Sequence, residues 1–323
     1  MSRRDFLRSS AILALAPMAA SGAPAPYPSR PVRLVVPFAP GGGSDAVARM
    51  VGPLLTERLG QSVVVDYKGG ASGRIAGSLV SRADPDGYTL LLSNPSPMTI
   101  GPMLAASAPY DPMRDFKHIA LLGTFANAVF VRADHPAKTM REFLDLAGTK
   151  ANQLTYASAG VGSIGHLTGE LLREKAGVSM LHVPYRGTGP ALIGLLAGNV
   201  DAILTGLPVA ESNMKEGKIR LLAVASKRRL EEYPDTPTLA EIVPGVEGEV
   251  WSGISAPADT PASICSHLER EATTAMRQPD IRKRFADVGL TTSGIGQAEF
   301  TRYVAEDIAR WGPVVKALNL KDN

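Results

Sequence analysis

Residues 34–55 read "LVVPFAPGGGSDAVARMVGPLL": a short apolar run, a loop with three consecutive glycines, then apolar residues at helical spacing. "VRLVVPF" predicts a first strand, and Val47, Met50, Val51, Leu54 and Leu55 fall on one face of the helix that follows. Glycine loses more conformational freedom on folding than any other residue, so Gly41, Gly42 and Gly43 mark backbone that must come close to something. Residues 154–172, "LTYASAGVGSIGHLTGELL", repeat the plan, with a Gly-Ser step at Gly162-Ser163 matching the one at Gly43-Ser44.

Two strand–glycine loop–helix units place two helix N-termini at the carboxyl ends of strands, where parallel α/β sheets bind ligands. The first N–H groups of a helix have no partner within it, and the macrodipole adds partial positive charge, so each loop suits an anion. Ser44 and Ser163 add hydroxyls, each open to capping its helix or touching a ligand. Asp45 reads as a first-turn acid, since a carboxylate beside a bound anion repels it. Further polar residues follow predicted strands: Ser93 and Asn94 after "YTLLLS", Tyr185 and Arg186 after "MLHVPY", and Thr205 in "VDAILTG". Arg186 is suited to a bidentate pair with a carboxylate. His166, one turn into the second helix, is open to donating to a ligand or to a structural role.

"SVVVDY" and "IRLLAVAS" complete the strand expectations, and alternation of strands with helical segments predicts an α/β protein. After Pro257 only helices are expected. Residues 125–139 and 249–263 read as extended crossings. They divide the chain into a first lobe of residues 27–125 plus 250–323 and a second of residues 126–249, with a hinge and a cleft between them.

The first 25 residues, "MSRRDFLRSSAILALAPMAASGAPA", resemble a twin-arginine export signal, with Arg3-Arg4 ahead of an apolar stretch too short to span a bilayer. Cleavage is expected between Ala23 and Tyr27, and the compartment is the periplasm, or the cell exterior where there is no outer membrane. Without Arg3, Arg4, Arg8 and Asp5 the formal charge of +3 falls to +1, which gives no electrostatic case for nucleic acid. The single cysteine, Cys265, excludes an intrachain disulfide and a multi-thiolate metal site, and reads as a small buried residue. The histidines show no metal-ligand spacing, so no metal is expected.

Gly160-Val161-Gly162-Ser163-Ile164-Gly165 fits the dinucleotide pattern GxGxxG between a strand and a helix. The acidic residue expected about 20 positions on is missing, and Tyr185-Arg186 stand there instead. An exported NADP-dependent oxidoreductase is the alternative this leaves. The glycine loops carry neither a nucleophile elbow nor a P-loop lysine, and no carboxylate pair stands out by its spacing for acid/base chemistry.

In order along the chain stand Pro40-Gly41-Gly42 with Asp45 and Arg49, then "KGGASGRIAG", "ADPDGYTLLL", "YDPMRDFKHIALL", "AGVGSIGHLTGELL" and "HVPYRGTGPALIGLLAGNVDA". "EGKIRLLAVASKRR", "PDTPTLAE", "WSGISAPADTPASI" and a tryptophan before "VVKALN" follow. In this register the chain resembles the extracytoplasmic solute receptors of the tripartite tricarboxylate transporter type, the Bug (Bordetella uptake gene) or TctC-like family. The resemblance implies a two-lobed type II periplasmic-binding-protein fold, each lobe a mainly parallel sheet flanked by helices. Such a receptor closes on a small carboxylate and delivers it to a membrane permease. It is not an enzyme, carries no cofactor, and is expected to be a monomer. A receptor serving a signalling system would share the same site.

The resemblance further implies that backbone amides and ordered water from two loops hold the carboxylate, here Phe38–Asp45 and Ser158–His166. The expected ligand-binding residues are therefore Phe38, Ala39, Pro40, Gly41, Gly42, Gly43, Ser44, Asp45, Ser93, Asn94, Ser158, Ala159, Gly160, Gly162, Ser163, His166, Tyr185, Arg186 and Thr205. Asp66 and Lys68-Gly69 depart from the asparagine and Pro-Gly that relatives carry, and the twin-arginine leader is not the commonest route in the family.

Overall fold

Apolar alternation decides how the first strand sits. In β1 (Val32–Val36), Val32, Leu34 and Val36 enter one core while Val35 enters another on the opposite face, as a parallel strand covered on both sides by helices requires. The computed structural model describes residues 27–149, 154–287 and 289–317; the leader read from residues 1–25 lies outside them. The chain continues through α1 (Gly43–Leu59), β2 (Val63–Tyr67), α2 (Arg74–Ser81), β3 (Thr89–Ser93), a π-helical turn over Ser96–Ile100, α3 (Gly101–Leu104) and β4 (Phe116–Arg132). There follow α4 (Met140–Gly148), β5 (Leu154–Ser158), α5 (Ile164–Ala176), β6 (Met180–Pro184), α6 (Thr188–Leu196), β7 (Ala202–Gly206), α7 (Leu207–Lys215), β8 (Ile219–Val224) and α8 (Leu239–Ile242). The last part comprises β9 (Glu249–Pro257), α9 (Ala262–Met276), α10 (Pro279–Ala286), β10 (Leu290–Ile295) and α11 (Gln297–Ala317).

Two parallel triplets, β2-β1-β3 and β6-β5-β7, are the centres of two lobes. They are joined by β4, 17 residues long, whose first part pairs antiparallel with β9 and β10 and whose second part pairs antiparallel with β7 and β8. Partners change between Ala126 and Asn127. There the Asn127 N–H donates to the Gly248 carbonyl (3.3 Å), the Gly248 N–H to the Ala225 carbonyl (2.8 Å), and the Ala225 N–H to the Asn127 carbonyl (2.6 Å). This ring ties the outgoing strand to the returning one at a single level. In the second part of β4, Val129 and Val131 enter one core and Ala128 and Phe130 another, so the second lobe is also covered on both faces.

One expectation fails. Residues 290–295 form a strand where only helices were expected; "LTTSGI" has few branched apolar residues and carries Gly294 at φ +71°. Its pairing with β4 makes it a strand, a tertiary effect that local propensity does not contain. Cys265 is buried in the first lobe's core, in keeping with its reading as a small buried residue on a helix.

The lobes touch beside the cleft. Ile100, Leu104, Trp311 and Val315 of the first lobe form one apolar cluster with Ile164 and Leu167 of the second. On the other side, a Cβ placed on Gly189 would lie 3.2 Å from the Pro40 carbonyl oxygen, so this backbone approach tolerates only small residues.

Candidate functional site

The loop after β1 is fixed by one side chain. Asp45 accepts from the Gly41 N–H (2.8 Å), from Arg49 (2.9 Å) and from the Tyr67 hydroxyl. Burial opposes its ionisation, but the hydrogen bonds from Tyr67, Gly41 and Arg49 outweigh it and hold the carboxyl below its ordinary range. With Asp45 directed at Gly41, which sits at φ +86°, α1 begins at Gly43 without any side-chain cap. Its first N–H groups are thus left for a ligand or water.

The second loop is built differently. Ser163 caps α5, accepting from the His166 N–H (3.2 Å) and donating to the Gly160 carbonyl (2.8 Å). Gly160 and Gly162 have φ of +127° and +74°, and a Cβ on Gly165 would collide with the Leu204 carbonyl oxygen at 2.2 Å. Backbone conformation and helix-to-strand packing therefore account for all three glycines of the GxGxxG pattern. His166 turns inward: its Nδ1 accepts from the Gly162 N–H (3.1 Å), and its ring stacks on His182 with centroids 4.0 Å apart. His182 in turn bonds Ser158 Oγ (2.7 Å).

Between the loops lies a cavity of about 60 Å³, room for a handful of waters. Four helix N-termini border it: α1 through Gly43 and Ser44, α5 through Ser163, Ile164 and Gly165, α6 through Thr188, and α7 through its cap Gly206. Asn94, Ser96, Asn127 and Thr205 supply side-chain polarity, and Phe38, Phe125, Leu204 and Val250 supply apolar wall. Among the described lining residues there is no acid, base or histidine. Asn127 Nδ2 and Thr205 Oγ1 are both buried and lack a hydrogen-bond partner among the described residues. Ser44 Oγ accepts from Asn94 Nδ2 (3.2 Å).

Of the expected residues, Phe38, Gly42, Gly43, Ser44, Asn94, Ala159, Ser163 and Thr205 meet at this cavity. Gly160, Tyr185 and Arg186 line a neighbouring cavity that shares Phe38 and Ala159 with it. Ala39, Pro40, Gly41, Asp45, Ser93, Ser158, Gly162 and His166 line neither. Ser93 Oγ accepts from Ser255, which also bonds His118, beneath the site. Asn127, Ser96 and Thr188 were not anticipated. A signal for Asn127 existed, since it interrupts the apolar run "FANAVFV".

Two buried histidines, His118 and His166, and the half-buried His182 give the fold an acid limit. Burial pulls His166 and His118 down to about 4, and burial together with the adjacent His166 pulls His182 down to about 3. The groups facing the stacked pair are the Tyr156 ring on His182 and, hydrogen-bonded to that tyrosine, Glu170, itself paired with Arg173. Neutral imidazole is favoured in the folded state, whereas the unfolded chain takes up protons near pH 6.5. The stabilisation is complete above about pH 6.5 and is lost as the pH falls toward 4. Thermal denaturation between pH 7 and 4.5 is expected to show a falling Tm, with a shallower fall for His182→Gln; equal slopes would exclude this origin.

Among the described residues no helix is long and apolar enough to cross a membrane, and no cluster of His, Cys, Asp or Glu is placed to hold a metal. The chain is 32% identical to BugT of Bordetella pertussis over 298 residues, covering 91% of each chain. The solved structure of R. palustris Rpa4515 with adipate superposes with a TM-score of 0.88 at 32% identity, covering 91% of this chain and 99% of that one. MatC from Rhodopseudomonas palustris, solved with bound malate, gives a TM-score of 0.84 at 33% identity, covering 90% of this chain and all of the other. Residues 47–320 match the tripartite tricarboxylate transporter family receptor, and the chain belongs to that family.

Proposed function

We propose that the protein is an extracytoplasmic solute receptor that binds a small carboxylate in the neutral cavity and hands it to a membrane permease of the tripartite type. The observation that carries this reading is the pair of buried, partnerless groups, Asn127 Nδ2 and Thr205 Oγ1, in a cavity ringed by four helix N-termini and free of charged side chains. Buried donors without acceptors are costly, and helix N-termini favour negative charge, so a carboxylate satisfies both. Related receptors have been solved with adipate and malate. Recognition by dipoles and neutral donors also leaves the ligand free to depart, since no counter-charge is left uncompensated in the empty cavity.

In this reading the lobes are residues 27–125 with 250–323 and residues 126–249, and they rotate about the ring at Asn127, Ala225 and Gly248. The bound anion bridges them, so occupancy favours the closed form that the permease recognises. The receptor acts as a monomer in the periplasm, reached by the twin-arginine route, and does no chemistry on its ligand.

A thermal-shift screen against mono-, di- and tricarboxylates, with NADP and NADPH included, tests the reading. A ligand at 100 times its dissociation constant stabilises by about 2.7 kcal/mol. Stabilisation by carboxylates and none by nucleotides is the expected pattern. A shift with NADP alone would overturn it in favour of the oxidoreductase.

A further inference from the structure

Two of the helix starts that border the inner cavity carry a glycine that backbone conformation does not require. Gly43 opens α1 and Gly206 caps α7, and neither has a positive φ. Gly206 sits at φ −62° and ψ 136°, in the extended region open to any residue. One ring excludes a side chain from both positions. A Cβ on Gly43 would lie 2.9 Å from Phe125 Cζ, and a Cβ on Gly206 would lie 2.3 Å from Phe125 Cε2. The Cζ–Cε2 edge of Phe125 therefore fills the space of two absent side chains.

The ring has little freedom to move. Phe125 pairs antiparallel with Val250 of β9 on one side and with Leu290 of β10 on the other, so its strand is held at both edges. Its side chain is 6% exposed and packs in the core that holds β1 and α1. Asn127, two positions on, lines the same cavity, as strand alternation requires. α1 follows β1 of one parallel triplet, and α7 follows β7 of the other. The ring edge thus stands between helix starts contributed by both lobes and sets how near they come.

That spacing matters because the inner cavity is small. An apolar cavity of ~150 Å³ takes a benzene ring, so about 60 Å³ accommodates a carboxylate and little beyond the carbon that bears it. Leu204 and Val250 wall the cavity beside Phe125, and Asn127 and Thr205 supply the donors. An acid anchored on those donors brings the substituents of its first carbon against this apolar wall. Close-packed walls do not absorb added methyl groups without displacement. Resting on the carboxylate-receptor reading above, we propose that Phe125 is the size gauge of the receptor. Its ring admits acids whose carboxylate-bearing carbon is unbranched and rejects those in which that carbon is fully substituted.

The test is calorimetric titration of the wild-type protein, Phe125→Leu and Phe125→Ala with two pairs of acids of equal charge, propionate with pivalate and malonate with dimethylmalonate. Each pair differs by two methyl groups on the carbon that bears the carboxylate. The wild type is expected to favour the slimmer acid by about 100-fold or more, since one methylene in a fitted pocket discriminates by about tenfold or more. The ratio should fall to about ten in Phe125→Leu and to near one in Phe125→Ala. Phe125→Leu keeps most of the apolar bulk and decides the matter if Phe125→Ala does not fold. A ring that only supports packing would weaken both acids alike and leave the ratio unchanged. Unchanged ratios, no discrimination by the wild type, or failure of all four acids to bind the folded wild type would overturn the gauge. The carboxylate reading falls with it only if every acid of the thermal-shift screen also fails to bind.

Discussion

Asn127→Asp is expected to lower carboxylate affinity by about 100-fold or more while leaving the unliganded protein folded. Asparagine and aspartate have nearly the same shape, so packing at this buried position on β4 is preserved. What changes is chemistry: the partnerless Nδ2 donor is exchanged for an acceptor carrying negative charge. Loss of a hydrogen bond to a charged group accounts for about 1.5–3 kcal/mol, and repulsion between like charges in a buried space adds to it. The side chain has no partner at Nδ2 to lose, and the helix N-termini that border the cavity offset much of the cost of burying the new carboxylate, so Tm should fall by a few degrees without loss of the fold. Protonated aspartic acid can donate, and the deficit should therefore narrow as the pH is lowered toward 5.5. Titration calorimetry and thermal denaturation of both proteins check the two halves of the prediction. Wild-type affinity in a folded Asn127→Asp would exclude the side chain from the site.

Gly42→Val is expected to reduce affinity by a comparable factor through a different cause. Gly42 has φ −108° and ψ 180°, an extended conformation open to any residue, so the substitution introduces no backbone strain. Its position facing the other lobe is the constraint, because a Cβ there would lie 3.5 Å from Thr188 Cβ. Alanine fits at ordinary contact distance. Valine adds two methyl groups beyond that point, where the lobes meet and the cavity begins, and packed interfaces do not absorb such volume without moving apart. The expected series is a small loss for Gly42→Ala and a loss of about 100-fold or more for Gly42→Val, since the closed, binding-competent form becomes rare. Small-angle scattering should show that Gly42→Val remains extended when saturating ligand contracts the wild type. Equal contraction and equal affinity would refute the closure argument.

The strand–glycine loop–helix plan was legible because it is local. β1, α1, β5 and α5 each follow from periodicity and glycine placement within some twenty residues, and both loops contribute to the cavity. The exact commitment of the hydroxyls was not legible. Ser44 and Ser163 occupy matching sequence positions, yet Ser163 caps its helix while Ser44 accepts from Asn94, 50 residues away. His166 was readable as a donor to ligand, but its orientation is set by stacking on His182, a partner on β6. Asn127 was missed because a polar residue within a strand has many structural uses, and only the exchange of β4's partners at that point brings it to the cleft. β10 was missed for the same reason in reverse, since its strand character is conferred by β4. Contacts made through sequence-distant partners decide these details, and local pattern does not encode them.

The central claim is that neutral donors in the inner cavity, not a charged side chain, hold the carboxylate. A crystal structure of the wild-type protein with the most stabilising acid from the screen tests this most directly. The account predicts one carboxylate of the ligand within hydrogen-bond distance of Asn127 Nδ2 and Thr205 Oγ1, with N–H groups at the start of α1 completing its shell. A ligand seated outside that cavity, or with none of its carboxylates touching either side chain, would contradict it.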